Sequence, residues 1–319
     1  MKQLIAIGEA LIDFTALERG DLSSVSRFER NAGGAPANVA ACVARLGGRA
    51  ALLSKLGRDA FGDHLIAVLS GNGVDVTHVL RTDRANTALA FVALDEKGER
   101  SFSFYRNPSA DMLLSEEEIP KQLFQSGDIL HFCSVDLVDA PVRGAHRRAI
   151  EYAAETGTTI SFDPNLRPNL WENEGKMLAA VREFLPNCHL LKVSEEELLS
   201  IAGERTEQAA LGAVFCGNVA AVLISRGSRG ASIALRDGTL LSAPGERAEQ
   251  VDSTGAGDVF IGTFLFQLLA DAVTAESLCD SPETLLRYLR YANRAAAISV
   301  TRRGAIPSMP VYEEVFGAP

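Results

Sequence analysis

The sequence lacks a stretch that could span a bilayer. Its longest apolar run, around VFIGTFLFQLLADAV, falls short of the ~20 residues required and is bracketed by Asp258 and Asp271. No membrane segment is therefore expected. It also lacks an excess of basic residues: the formal net charge is -10, which argues against nucleic-acid and anionic-membrane partners, since both select a positive footprint. A small-molecule substrate is the better expectation. The cysteines, Cys42, Cys133, Cys188, Cys216 and Cys279, are scattered and odd in number and contain no C-x-x-C, and the histidines show no H-E-x-x-H spacing. They read as reduced thiols of a cytoplasmic protein. No G-x-G-x-x-G follows the first apolar run, LIAIG, which leads instead into EALIDF, and no G-x-x-x-x-G-K-[ST] is present. A dinucleotide fold and a P-loop are both disfavoured. SRGSRG (Ser225 to Gly230) follows a strand but precedes a hairpin, so it does not revive the first.

The chain has no internal repeat, no low-complexity tract and no long linker. The start, MKQLIAIGEALIDF, is interrupted by Glu9 and Asp13 and reads as a first strand rather than a secretion signal. At 319 residues it could form one large α/β domain or two smaller ones, burying roughly three quarters of the surface exposed when unfolded. Short apolar runs recur, LIAIG, AALLSKLG, DILHFCS, TTISFD, HLLKVS and VAAVLISRG, separated by stretches at helical spacing such as APANVAACVARLG, AHRRAIEYAAETG and LAAVREFLPN. Strands buried on both faces and alternating with helices predict a doubly wound, mostly parallel sheet with helices on both faces. Residues from about 13 to 30 and from 86 to 106 break this alternation and read as two strand pairs, the second with a turn at Asp95 to Gly98. They predict a small β lid with one apolar face and no helix over it, which must close over a site or pair with another subunit. ASIALRDGTLL predicts a hairpin at Asp237-Gly238, and SEEEIP (Ser115 to Pro120) the solvated start of a helix.

Two glycine-rich stretches could carry chemistry. In NAGGAPANVA, Gly33 and Gly34 give a free backbone ahead of a helix that Pro36 can start, and Asn38 offers a donor and an acceptor to a hydroxylated molecule. In DSTGAGDVFIGTFLFQLL, Thr254 is placed to cap a helix whose first turn is Gly255-Ala256-Gly257. Small residues leave the first N–H groups uncovered, and the helix dipole makes the position an anion site. A carboxylate there, Asp258, would repel the anion, so its presence makes sense as a base accepting a proton from a hydroxyl about to attack it.

DSTGAGD resembles the C-terminal signature of the ribokinase-like (PfkB) carbohydrate kinases, and GGAPANVAACVARLG their N-terminal one. GEALID, FYR, FDPNLRPNLW, LKVSEEEL, ISRGSRG and TRRGAIPSMP fall in the family's order, so the resemblance spans essentially all of residues 1–319, as a single kinase domain with its β lid. It implies ATP and Mg²⁺ as nucleotide and metal. By this likeness Asp258 would be the catalytic base and Gly255, Ala256 and Gly257 part of the anion hole; Asp13, Gly33, Gly34 and Asn38 would hold the sugar, with Arg106 and Arg167 meeting the substrate or its phosphate ends. Glu197 would order water around Mg²⁺, with Ser194 standing where the family's N-x-x-E motif has asparagine. Ser225, Gly227, Gly230 and Asn293 would lie on the adenine and ribose side. A monovalent cation, K⁺, would take Asp252, Thr254, Ser299, Arg302, Gly304 and Ser308, and a homodimer would form through the lid strands.

Ala35 and Pro36 stand where ribokinase-type sequences carry G-G-K-G-A-N, and GGAPANVA, FYR and DPNLRPNLW resemble fructokinases. The resemblance thus implies transfer of the γ-phosphate of ATP to a primary hydroxyl of D-fructose, O6, with 2-keto-3-deoxygluconate, ribose or a nucleoside such as aminoimidazole riboside as alternative acceptors. A non-catalytic sugar sensor would be expected to lose Asp258 or the glycines beside it, and a sugar dehydrogenase to carry the missing glycine fingerprint.

Overall fold

The computed structural model describes residues 2–94 and 100–318. In chain order, β1 (Gln3–Ile7) leads to β2 (Leu11–Ala16), β3 (Phe28–Gly33), α1 (Ala35–Arg45), β4 (Arg49–Gly57), α2 (Ala60–Gly71) and β5 (Val79–Thr82). β6 (Leu89–Leu94) and β7 (Arg100–Tyr105) follow. Then β8 (Ile129–Cys133), α3 (Pro141–Thr156), β9 (Thr159–Asp163), α4 (Glu174–Phe184), β10 (Leu190–Ser194), α5 (Glu195–Ala202), α6 (Glu207–Val214) and β11 (Ala221–Ser225) complete the alternation. The hairpin β12 (Ala231–Leu235) and β13 (Leu240–Ala243) precedes α7 (Ala256–Ala270), α8 (Pro282–Ser299) and α9 (Tyr312–Phe316).

Nine strands form the large sheet in the order β13-β12-β11-β10-β9-β8-β1-β4-β5, every pairing parallel except the two made by hairpin strand β12. Successive residues of β1 explain its continuous apolar sequence: Leu4 and Ala6 belong to one core with Val39, Phe264 and Leu289, while Ile5 and Ile7 belong to the other with Val142, Val181 and Leu198. Helices therefore cover both faces, as a parallel sheet requires. From β1 the chain winds outward to β4 and β5, then returns to β8 on the other side of β1. This reversal opens a crevice at the carboxyl ends of β1 and β8, the position where doubly wound sheets bind ligands.

The second sheet, in the order β3-β2-β6-β7, is the predicted lid. The Asp95 to Gly98 turn lies outside the described residues. The period of two puts Asp13, Thr15, Glu29, Asn31, Val92, Phe102 and Phe104 against the cavity beneath. The opposite face differs from expectation, because a helix partly covers it: Phe14 stacks on Phe91 at 4.9 Å and meets Phe61 of α2 edge-on at 5.7 Å. SEEEIP also differs. Glu116–Glu118 form a single 3₁₀ turn, and the Glu118 carboxylate pairs with Lys55, a nearly buried lysine on β4 that would otherwise have an uncompensated charge. Among the described residues no helix is long and apolar enough to cross a membrane, and all five thiols are free.

Candidate active site

Two helix N-termini converge on the crevice. Gly262 of α7 lies so close to α1 that a Cβ there would sit 2.8 Å from Cys42 Cβ, a contact only glycine permits. One turn earlier on each helix the same crossing brings Asn38 to Asp258, whose Oδ2 accepts a 2.8 Å hydrogen bond from Asn38 Nδ2. Because i and i+4 share a helix face, the close packing at Cys42 and Gly262 sets the polar contact above it. Gly34, at φ +106, starts α1; a Cβ would come 2.5 Å from the Glu9 carbonyl oxygen.

Between the lid and these helices lies a cavity of about 870 Å³, within the range of small-molecule sites. Asp13, Gly34, Asn38, Arg167, Asp252, Thr254, Gly255, Gly257, Asp258 and Gly304 all line it. Burial pushes Asp258 up to about 6, with Asp163 adding to the shift and the Asn38 hydrogen bond, Lys192 and Arg167 opposing it. Burial likewise raises Asp13 to about 7, helped by the negative charges of Asp258 and Asp252. A carboxylate with its affinity for protons raised toward neutrality, next to a helix N-terminus, can take a proton from a hydroxyl while the N–H groups face an anion.

The start of α7 differs from the predicted cap. Gly255, in the left-handed region at φ +77, is the N-cap residue, and Thr254 instead turns its hydroxyl and N–H to Asp252 Oδ1 at 2.7 and 3.0 Å. The Ala256 N–H faces Ser253 O at 3.3 Å and Ala256 does not line the cavity, so the open donors there belong to its neighbours, Gly255 and Gly257. Asp252 Oδ2 accepts from Gly304 N at 3.0 Å, and the Val251 and Asp252 N–H groups both donate to Val300 O. These bonds draw the 251–254 and 300–304 segments together. The Ser299 and Ser308 hydroxyls turn inward to Ala296 O and Ala305 O, and Arg302 pairs with Glu314.

Several predicted contacts have structural partners instead. Arg106 does not reach the cavity: its Nη2 pairs with both Asp111 and Asp136, and it is 8 % exposed. Gly33 supports Asp13 from behind, since a Cβ there would meet Asp13 Oδ2 at 2.2 Å. Ser194 and Glu197 form a capping box on α5; Ser194 Oγ accepts from Glu197 N, and the Glu197 carboxylate accepts from Ser194 N and from Leu166 N, both at 2.8 Å. Ser225 Oγ donates to Val193 O, and Gly230 lets β12 pass close to Ala243 and Gly245. Asn293 Nδ2 donates to Ala243 O and Pro244 O, fixing the exit of β13. At Gly227 a side chain would meet open space.

Two charged groups escaped sequence reasoning. Lys192 lines the cavity and pairs with Asp163 at 2.8 Å, and a Cβ on Gly257 would lie 3.3 Å from its Nζ. The ion pair places a buried cation at the mouth of α7. Its signal was present: a lysine inside HLLKVS, a strand buried on both faces, requires a charged partner. Glu9 is the other. It lines the cavity while its Oε1 accepts from Ala35 N at 2.9 Å.

A doubly wound sheet, a lid over its switch-point cavity and a carboxylate at a glycine-rich helix N-terminus are the architecture of a sugar kinase. The sequence profile of the pfkB family carbohydrate kinases matches residues 1–311, and the chain belongs to that family. It is 40% identical over 312 residues to probable fructokinase-2 of Arabidopsis thaliana, covering 96% of this chain and 92% of the relative. Among solved structures, fructokinase of Xylella fastidiosa with bound ATP superposes with a TM-score of 0.88 at 36% identity, covering 98% of this chain and 96% of that one. A double mutant of fructokinase from Vibrio cholerae O395, bound to fructose, ADP and potassium ion, gives 0.89 at 32% identity, covering 99% and 97%. The fold is thus ribokinase-like, and the protein is a carbohydrate kinase.

Proposed function

We propose that the protein transfers the γ-phosphoryl group of ATP to O6 of D-fructose. The observation that carries this reading is the Asp258 carboxylate, bonded to Asn38 within the same cavity that the first turn of α7 opens onto. Fructose lies under the lid with hydroxyls on Asp13, Asn38 and the Gly34 backbone. Asp258 takes the O6 proton, O6 forms the new bond to phosphorus, and the bond from phosphorus to the ADP oxygen breaks. The N–H groups of Gly255 and Gly257 stabilise the charge on the transferring group, with Lys192 and Arg167 adding cations at either side. The large sheet and the lid act as one unit, since both line the cavity.

The 251–254 and 300–304 segments fit a potassium ion, because mutual hydrogen bonds draw them together and Ser299 O beside them, which accepts one hydrogen bond from Arg302 N, retains a second lone pair. Bound there, such an ion would add positive charge behind the anion hole. Glu197 Oε1 and Oε2 each accept one backbone N–H and each keeps a lone pair, so the carboxylate retains an acceptor for a water of the Mg²⁺ shell. Nucleotide phosphates and water would hold that ion. The test of the whole reading is ADP release with MgATP, in potassium and in choline buffer, across fructose, ribose, 2-keto-3-deoxygluconate and aminoimidazole riboside. Fructose should lead, faster in potassium; another leading acceptor overturns the assignment to fructose.

Because Asp258 must be ionised to accept a proton, kcat/KM should rise with pH through about 6 and level off above it. Asn38 donates to the charged form and lowers this value, so Asn38→Ala should shift the acidic limb to higher pH as well as weaken activity. An acidic limb unmoved in that variant would show that Asn38 does not tune the base. The lid also bears on assembly. Among the described residues β7 is a sheet edge, and Leu17 and Tyr105 of the lid are 52% and 63% exposed. A second copy pairing there gives a homodimer, and light scattering at micromolar concentration should return twice the chain mass.

A further inference from the structure

Behind the sugar end of the cavity, four charged side chains share one buried cluster. Arg106, at the end of the lid, directs Nη2 to Asp111 and to Asp136, and both carboxylates are 1% exposed. Glu9 faces the same guanidinium electrostatically from the end of β1. One guanidinium thus meets three carboxylates. Glu9 Oε1 is occupied by Ala35 N, but Oε2 is buried without a partner, in a residue 2% exposed that lines the cavity. Asn38 Oδ1 is a second orphaned acceptor in a cavity-lining residue 5% exposed, and Asp13 supplies a third acceptor on the same wall.

An arginine that reached into a sugar pocket from this position would be a receptor for a carboxylate, through its paired N–H groups. Here that capacity is already consumed from behind, and on this stretch of wall the acceptors of Glu9, Asn38 and Asp13 outnumber Arg167, the arginine of the cavity lining that acts on Asp13. Acceptors suit the O–H donors of a neutral polyol and oppose the negative charge of a sugar acid. We propose that Asp111 and Asp136 are specificity-determining residues: by holding and neutralising Arg106 outside the cavity, they restrict the kinase to neutral sugars and exclude sugar acids. The proposal rests on the reading of the cavity as the sugar site. It concerns residues that act through Arg106 and touch no substrate.

The experiment compares the full-length protein with Asp111→Asn, Asp136→Asn and the double variant, using MgATP with D-fructose and with 2-keto-3-deoxygluconate. Replacing the two carboxyl groups that hold Arg106 loosens it, so the kcat/KM ratio of fructose to the acid should fall by about tenfold or more, mainly through a lower KM for the acid. A purely structural role would depress both substrates together; an unchanged ratio in a folded variant overturns the proposal. If the variants do not fold, the wild-type protein still decides, because sorbitol should inhibit fructose turnover at about one tenth or less of the concentration at which gluconate does. Equal or stronger inhibition by gluconate overturns the proposal. If neither sugar is phosphorylated by wild type, the fructose reading fails, and thermal shifts with sorbitol and gluconate still read the charge filter: a larger shift with sorbitol supports it and a larger one with gluconate refutes it.

Discussion

Asp258→Asn is expected to lower kcat by roughly 10²- to 10⁴-fold while leaving the KM values for ATP and fructose within a few-fold of the parent. The amide has the shape of the carboxylate, and its oxygen can still accept from Asn38 Nδ2, so the crossing of α1 and α7 should persist. What it loses is the capacity to take the hydroxyl proton as O6 attacks. Stability supplies an independent check. A carboxylate whose folded value is raised to about 6 contributes stability below its unfolded value and loses it as pH rises through the folded one. At pH 7.5 the ionised Asp258 is therefore a burden on the fold, and the asparagine variant should have an equal or higher Tm. Low turnover with an unchanged or raised Tm marks a residue kept for chemistry. Near-full turnover in this variant would remove Asp258 from the role of base.

The large sheet was legible because its central strands are buried on both faces, so LIAIG, DILHFCS and VAAVLISRG appear as unbroken apolar runs. The lid was legible for the opposite reason, since Asp13 and Thr15 alternate with Ile12 and Phe14. Side chains whose partners lie far away in sequence were not. Arg106 resembles a ligand contact in FYR, but its guanidinium is shared by Asp111, five residues on, and Asp136, thirty residues on, and only the fold brings the second to it. Ser194 and Glu197 resembled a motif with a missing asparagine, whereas S-x-x-E at the start of α5 is also a capping box, and in this structure both side chains are used that way. Thr254 reads as the cap because hydroxyl residues usually fill that position. A glycine with positive φ fills it instead, and this releases the threonine to brace Asp252.

That same glycine yields the second large effect expected. Gly255→Val should depress kcat by about 10²- to 10³-fold, comparable to losing an oxyanion-hole donor, and should also lower Tm. Two causes act together. At φ +77 an L side chain costs roughly 1–2 kcal/mol, more for a β-branched one, and the new Cβ would lie 3.0 and 3.1 Å from Cβ and Cα of Ala305. The second contact is with backbone, so relief requires the 254–257 turn or the 304–308 segment to move. Either movement shifts N–H groups of the anion hole relative to Asp258. Gly257→Ala is the control: Gly257 has no positive φ, and its Cβ would meet only the Lys192 Nζ, at 3.3 Å, a flexible end that can yield by a few tenths of an ångström. Its loss of kcat should be clearly smaller. Equal losses in the two variants would mean that the space in front of the helix matters and the left-handed turn does not. A loss confined to Gly255→Val would assign the anion hole to the backbone conformation that only glycine allows at this N-cap.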